Sequence, residues 1–161
     1  MGTIIASAEI PAPVDAVWGY CKDITNTPRW FPAIPSVRAV SERAEGVGAE
    51  YEFTARNAGR VVTYRMRVTE WEEGRRVRQE IVPASGSGLW SSLLESMSVL
   101  WQYEPVDGRA RLSVVQEMRL KGLADLLTQP WLLVFDRQLY RRAFRRLADI
   151  MMQRMQEPAP A

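Results

Sequence analysis

The feature that most limits how this chain folds is a long region of two-residue alternation between residues 49 and 118. Along residues 60–72, for example, the apolar side chains of Val62, Tyr64 and Met66 alternate with polar ones. This period places apolar side chains on one face of a β-sheet and polar side chains on the other. Because glycine-containing turns separate the segments, neighbouring strands are expected to be antiparallel.

Other segments complete the expected order of one strand, two short helices, about six strands and a last helix. A first strand is predicted at residues 3–10, and helical spacing after Pro13 together with the segment 23–32 predicts the two short helices. The later strands are predicted at 36–43, 49–56, 60–72 and 75–82, at 89–96 with further alternation from Met97 to Tyr103, and from Leu112 to Met118.

After Gly122 the apolar spacing changes to that of a long amphipathic helix. Its stripe consists of Leu133, Tyr140, Ala143, Phe144, Leu147, Ile150, Met151 and Met155. Pro130 is expected to separate this helix from a short one at 123–128. The predicted class is therefore α+β, with a curved antiparallel sheet of about seven strands wrapped around a long C-terminal helix.

The composition restricts the chemistry. The 161 residues include no histidine and one cysteine, Cys21. Catalytic systems that use a histidine base and metal sites with histidine ligands are thus excluded, and a lone cysteine forms no intrachain disulfide. The formal net charge of +2 is too small to indicate nucleic-acid binding. We expect no metal, no cofactor and no nucleic-acid partner, and we expect Cys21 to be a buried structural thiol.

The chain is expected to form one domain over residues 1–156, followed by a disordered tail at 157–161 that is rich in proline and alanine. No apolar run approaches the roughly 20 residues of a membrane span. Residues 1–12 lack the pattern of a signal peptide. These observations predict a cytoplasmic protein without membrane insertion, as a monomer or weak homodimer.

Three segments carry a family resemblance: IPAPVDAVW at residues 10–18, DITNTPRWFP at residues 23–32 and WQYEP at residues 101–105. Together they resemble the START-like (SRPBCC) superfamily, and within it the polyketide cyclase/dehydrase and lipid-transport family. The resemblance implies a helix-grip fold with a cavity between the sheet and the last helix. It implies no single function, because this superfamily carries transporters, cyclases and binding proteins on one scaffold.

Strand and helix parity identifies the side chains expected to line such a cavity. They are Trp30, Tyr51, Phe53, Tyr64, Met66, Val99, Trp101, Gln116, Tyr140, Phe144, Leu147 and Met151. Aromatic residues at these positions would also suit a packed core. Gln116 and Gln79 would be buried amides that need a partner from the protein, a water molecule or a ligand. Asp136, one turn before Tyr140, is either a polar group inside the cavity or a carboxylate near its rim, and we favour the rim.

The predicted function is binding of a hydrophobic small molecule, such as a lipid, an isoprenoid or a polyketide-like compound, by a carrier or sensor. No catalytic residue set is recognised, so we expect a non-catalytic protein. A polyketide aromatase/cyclase is the first alternative and would need a polar pocket with an arginine or tyrosine that polarises a carbonyl group or transfers protons. Tyrosines are available at positions 51, 64, 103 and 140. Arg65 and Arg67 share the parity of polar neighbours and are expected to point outward.

A protein-interaction module is the further alternative, and the apolar run at residues 131–135 supports it. Five consecutive apolar residues in a helix point in every direction, so a sheet cannot cover all of them. Together with Leu89 and Trp90, which follow the glycine- and serine-rich loop 83–88, this run is expected to form a hydrophobic gate or a dimer contact. Mutual packing without a role explains the same run equally well.

Overall fold

One antiparallel sheet of seven strands organises the residues that the computed structural model describes, which are 2–57 and 59–157 without the side chains at 57, 89–91 and 128–135. The strands are β1 (Gly2–Ile10), β2 (Ser36–Ala39), β3 (Glu50–Asn57), β4 (Arg60–Glu72), β5 (Arg76–Ile81), β6 (Leu94–Val106) and β7 (Arg109–Leu120). Their spatial order is β1-β7-β6-β5-β4-β3-β2. Apart from the β1–β7 contact, each strand pairs with its neighbour in sequence, as the short turns predict.

Four α-helices accompany the sheet within the described residues. They are α1 (Val14–Cys21), α2 (Thr27–Trp30), α3 (Gly88–Leu93) and α4 (Leu123–Gln156), and a short 3₁₀ turn at Ile24–Asn26 joins α1 to α2. The helix α4 packs on β1 and β7 and also contacts α2. The predicted α+β arrangement of about seven antiparallel strands and a long last helix is confirmed.

The two faces of the sheet follow the alternation in the sequence. On β4, Met66 and Val68 are buried, whereas Arg65 and Arg67 are exposed. The outward arginines pair with glutamates across the strands: Arg67 Nη2 lies 2.6 Å from Glu50 Oε1. Cross-strand pairs on this solvated face help to hold the register, while burial of the other face provides most of the stabilisation.

The turn between β6 and β7 shows how local sequence sets the sheet. Asp107 and Gly108 both adopt positive φ, at 51° and 77°. Two consecutive positive φ values are the signature of a type I′ turn, which matches the twist of adjacent antiparallel strands. Asp-Gly is well suited to this turn because glycine has no Cβ to clash and aspartate tolerates the left-handed region.

Two predicted elements differ from the structure. Residues 88–93 form α3 rather than the first part of a strand at 89–96, and β6 begins only at Leu94. Short apolar runs of this length fit a helix or a strand equally well, so periodicity does not decide between them. In addition, α4 continues through Pro130 without separating into two helices. A proline removes one backbone hydrogen bond, and the flanking helical turns are maintained on both sides.

The core is packed most tightly where α4 meets β1 and β7. Fully buried side chains from these elements and from α1 interlock there, including Ile10, Val17, Leu112, Val114 and Leu147. Arg146 on α4 donates from Nε to the backbone oxygen of Arg29 at 2.7 Å, which links the helix to α2. The C-terminal half of α4 is therefore fixed against the sheet and the N-terminal helices.

A candidate ligand cavity between the sheet and the last helix

A cavity of about 870 Å³ lies over the other half of the concave face. Its described wall combines β3 to β7 with α1, the segment 24–34, α3 and α4. Most of the side chains in the wall are apolar or aromatic, and only a few carry polar groups that point inward. A volume of this size within such a wall is typical of small-molecule sites.

Most of the side chains predicted to line the cavity are brought together in its wall. They are Trp30, Phe53, Tyr64, Met66, Val99, Trp101, Gln116 and Tyr140. The strand residues among them share inward parity, and Tyr140 extends from the inner face of α4. Parity therefore identified the correct face of the sheet.

Tyr51, Phe144, Leu147 and Met151 were predicted for the wall, but the structure places them in the packed core. The hydroxyl of Tyr51 donates to the backbone oxygen of Ala44, in the loop that covers this part of β3. The other three lie on the part of α4 that is pressed against the sheet. Parity defines which face a side chain occupies, whereas its place along the face depends on where the helix covers the sheet.

An aromatic cluster forms one side of the cavity. The ring of Trp101 lies edge-on to Trp30 at 5.5 Å and to Tyr140 at 5.9 Å, measured between centroids. Phe31 packs edge-on to Tyr140 at 5.3 Å. Such edge-to-face contacts fix the orientation of the rings and stabilise the cluster. The Nε1 atom of Trp30 is buried and has no acceptor in the described part of the chain.

Two amides lie in one row across the floor of the cavity. Register places Val99 between Gln79 on β5 and Gln116 on β7. The two amides are thus two strands apart, or roughly 10 Å between their Cα atoms. The hydroxyl of Tyr140 donates to Oε1 of Gln116. Gln79 is only 6% exposed and has no hydrogen-bond partner among the described residues, so its amide is available to a water molecule or a ligand.

Asp136 borders the cavity and its side chain is partly exposed. Burial raises the pKa of its carboxyl group from the ordinary value to about 6. Burial also raises the pKa of Tyr64, and the nearby charge of Asp136 raises it further. Neither the carboxylate of Asp136 nor the hydroxyl of Tyr64 has a hydrogen-bond partner in the part of the chain that the structure describes.

Arginines are sorted between the two faces of the sheet. Arg65 and Arg67 point outward as predicted and pair with Glu52 and Glu50. Arg60, by contrast, shares the inward parity of Val62 and Tyr64 and lies in the cavity wall. Arg56 also borders the cavity, but it pairs with Val61 and has the outward parity of Glu52. Both arginines are exposed and neither has an ion-pair partner among the described residues, so positive charge lies at the exposed β3–β4 end of the cavity.

Several wall residues were missed as cavity-lining positions. They include Cys21, Ile24, Ala33 and Ile34 in the N-terminal helical region, and Leu93, Leu94 and Leu139 elsewhere. Cys21 is buried, and burial raises the pKa of its thiol to about 12 despite a hydrogen bond with Tyr103. The DITNTPRWFP motif at residues 23–32 could have identified the N-terminal wall residues, because it marks a segment expected to close one end of the cavity.

The predicted hydrophobic gate falls outside the described residues, because the side chains at 89–91 and 131–135 are not described. Residues 158–161 of the predicted tail also lie outside them. Among the residues that are described, no three or more histidine, cysteine or acidic side chains are grouped to hold a metal ion. No helix in the same part of the chain is long and apolar enough to cross a membrane.

Comparisons with known proteins agree with this architecture. The family model for polyketide cyclase/dehydrase and lipid transport matches residues 1–157. A comparison with curated protein sequences finds no match. The crystal structure of the Zhui aromatase/cyclase from Streptomyces sp. R1128 has a TM-score of 0.78 at 15% identity, covering 99% of this chain and 98% of that one.

Two further solved structures share the same arrangement. A START superfamily protein from Mycobacterium smegmatis has a TM-score of 0.76 at 12% identity, covering 95% of this chain and 99% of that one. A protein from Thermus thermophilus has a TM-score of 0.76 at 17% identity, covering 94% of this chain and 97% of that one. At such identities the structural likeness shows the helix-grip fold alone. The family match covers the whole described chain, and this protein belongs to the polyketide cyclase/dehydrase and lipid-transport family.

Proposed function

We propose that this protein binds one hydrophobic small molecule in the cavity between the sheet and α4, as a carrier or sensor. The observation that carries the proposal is a wall of aromatic and aliphatic side chains around about 870 Å³, with a few inward polar groups. Apolar walls provide affinity by releasing water from apolar surface, and sparse polar groups orient the ligand. A lipid, an isoprenoid or a polyketide-like compound fits this chemistry.

The polar groups favour a ligand with oxygen functions over a plain hydrocarbon. Gln79 is buried without a partner, and the hydroxyl of Tyr64 also reaches the cavity without one in the described part of the chain. A plain hydrocarbon that filled the cavity would leave these groups without water or any other partner, at a cost of about 1–3 kcal/mol each, and a ligand oxygen would avoid that cost. Hydroxyl, ketone or ester groups at the floor of the cavity are therefore part of the proposal.

A polyketide cyclase is the second candidate, and the unpaired Tyr64 hydroxyl beside Asp136 is the observation in its favour. A phenol can donate to a ketone oxygen while a carboxylate accepts a proton. Arg60, with its inward parity at the β3–β4 end, also fits a cyclase. The mainly apolar wall favours carriage instead, and Arg65 and Arg67 are ion-paired on the outer face. If the purified protein converts a linear poly-β-ketone to a cyclic product, the cyclase function is supported.

The proposal is tested by titrating the purified protein with pyrenemethanol, a neutral fluorescent probe with an apolar body and one hydroxyl group. We expect saturable binding of one probe per chain, with energy transfer from tryptophan, because Trp30 and Trp101 lie in the cavity wall. Mass spectrometry of molecules that copurify with the protein would then identify the natural ligand class. The absence of saturable binding would contradict the proposal.

A further inference from the structure

Asp136 is an unusual group for an apolar cavity. Its carboxyl group faces a space lined mainly by apolar and aromatic residues, and no described side chain forms an ion pair or hydrogen bond with it. Burying an unpaired carboxylate is costly, and proteins normally pair such a group or keep it in water. Filling the cavity with an apolar ligand would remove the remaining water, so the carboxyl group would either take up a proton or pair with a cationic group on the ligand.

The aromatic side chains around Asp136 restrict what that partner is. Asp136 lies one helical turn before Tyr140 on α4, and its charge adds to burial in raising the pKa values of Tyr64 and Tyr140. Tyr140 in turn contacts Phe31 and Trp101. A carboxylate beside several aromatic rings combines the two features that attract organic cations, since ring faces carry a negative quadrupole.

We propose that the ligand is an apolar amine, whose protonated nitrogen forms an ion pair with Asp136 while its apolar body packs against the aromatic wall. The inference rests on the proposed function, namely that this cavity binds a small apolar molecule. It adds the chemical class of the group that the ligand presents to α4.

The positive charges on the wall do not compete for Asp136. Arg56 and Arg60 lie at the β3–β4 end of the cavity, and neither forms an ion pair with Asp136. Burial is the cause of the raised pKa of Asp136, and a guanidinium in contact would lower that pKa instead. Among the described lining residues, the arginines are thus exposed at one end and one carboxylate lies beside Tyr140, which favours a ligand with its amine directed at α4.

Asp136 is also the group that titrates near neutral pH among the described wall residues. The other titratable or charged groups of the wall are Cys21, Arg56, Arg60, Tyr64, Tyr103 and Tyr140. Burial raises the pKa values of the thiol and the three phenols, and arginine stays protonated. Between pH 5 and pH 8 these groups keep their charge, so pH dependence of binding in that range reports on Asp136.

The sign of this pH dependence differs between amines and neutral ligands. An amine binds the ionised carboxylate, so its affinity falls as pH decreases through about 6, the pKa of Asp136 without ligand. A neutral ligand raises the pKa of Asp136 further, so its affinity is highest below pH 6 and falls as pH rises. The affinity for the amine relative to the affinity for the neutral ligand should rise by about tenfold from pH 5 to pH 7, because the ionised fraction of Asp136 rises by about that factor.

The test uses three probes with one aromatic body: pyrenemethylamine, pyrenemethanol and pyrenecarboxylic acid. At pH 7 we expect the amine to bind at least about tenfold more tightly than the alcohol, since hydrogen bonds to charged groups exceed those to neutral groups. Asp136→Asn should remove this preference while pyrenemethanol still binds. Asp149→Asn, at an exposed site on the same helix, is the matched control and should keep the preference.

Three results would overturn the inference and leave the proposed function standing. They are equal binding of the amine and the alcohol, tightest binding of the carboxylic acid, and an unchanged preference in Asp136→Asn. Failure of all three probes to bind would contradict the proposed function together with the inference. If Asp136→Asn does not fold, the opposite pH trends of amine and alcohol in the unaltered protein decide the question.

Discussion

The two halves of the sheet differ in how α4 covers them. Over β1 and β7, its C-terminal half fills the concave face, and Leu147 and Ala143 are fully buried. Over β3 to β6 and the part of β7 that carries Gln116 and Met118, the concave face instead borders the cavity, and Tyr64 there is only partly buried. The first part is a packed core, called the packed half below, and the second part lines the cavity and is called the hollow half.

These two parts of the concave face show how one fold provides both stability and a binding space. A single helix is narrower than the curved sheet, so it covers only part of the concave face. Side chains in the packed half stabilise the fold by dense contact, whereas those in the hollow half keep apolar surface available to a ligand. Substitutions in the two halves should therefore separate stability from binding.

The largest effect is expected at Trp30, which belongs to both halves. Trp30 is buried against Phe31 and Trp101 and also lines the cavity. Trp30→Ala should lower the free energy of unfolding by about 3–5 kcal/mol, because it removes a large buried ring. It should weaken binding of pyrenemethanol at the same time. Urea unfolding and probe titration measure the two effects. If neither changes, Trp30 contributes neither to the packed core nor to the cavity wall.

A matched pair on α4 compares the halves directly. Leu147→Ala should lower the free energy of unfolding by about 2–5 kcal/mol, because it opens a void in a packed core. Leu139→Ala should cost only about 1 kcal/mol, since Leu139 already borders the cavity and is partly exposed. Probe affinity should fall in Leu139→Ala and stay unchanged in folded Leu147→Ala. Equal losses of stability in both variants would contradict the division into halves.

Asp136 should make the hollow half sensitive to pH. Because burial raises the pKa of its carboxyl group to about 6, the folded state holds a proton that the unfolded chain releases near pH 4. Its contribution to stability is thus fully present below about pH 4 and is lost as pH rises through about 6. Asp136→Asn should raise the unfolding free energy at pH 7 by about 2 kcal/mol and leave it unchanged at about pH 3.5 to 4. A variant that is less stable at pH 7 would show that the carboxylate has a stabilising partner.

A smaller effect is expected for the floor amide on β5. Gln79→Met keeps the shape of the side chain and removes a buried amide that has no described partner. The free energy of unfolding should rise by up to about 1 kcal/mol, because the desolvation cost disappears. Thermal unfolding at fixed pH measures this change. A clear loss of stability would mean that Gln79 is satisfied by ordered water in the empty cavity.

The sequence predicts the sheet better than the cavity. Alternation along 60–72 and the Asp-Gly turn at 107–108 act locally, so the faces and the turn are readable from the residues. The helix at Gly88–Leu93 was predicted as a strand, because six residues are too few to show a period. The position of α4 along the sheet is a tertiary property, and it decides that Phe144 is core while Tyr140 reaches the cavity.

The polar part of the site was harder to predict for a similar reason. Gln116 and Gln79 stand out on inward faces because an amide among apolar residues needs a partner. For Asp136 the sequence left two positions open, inside the cavity or near its rim, because helical spacing gives only the face of α4 on which it lies. A carboxyl group among mainly apolar lining residues is unfavourable, and such local disagreements are typical of functional sites.

Filling the cavity from its floor tests directly whether this cavity is the ligand site. Val99→Trp places an indole between Gln79 and Gln116, and Val115→Trp places the same group on the opposite face, because Val115 pairs with Leu100. We predict that Val99→Trp keeps the unfolding free energy within about 1 kcal/mol and weakens pyrenemethanol binding at least about tenfold. Val115→Trp should bind the probe as the unaltered protein does. Saturable binding of unchanged affinity in Val99→Trp would contradict the claim that this cavity is the ligand site.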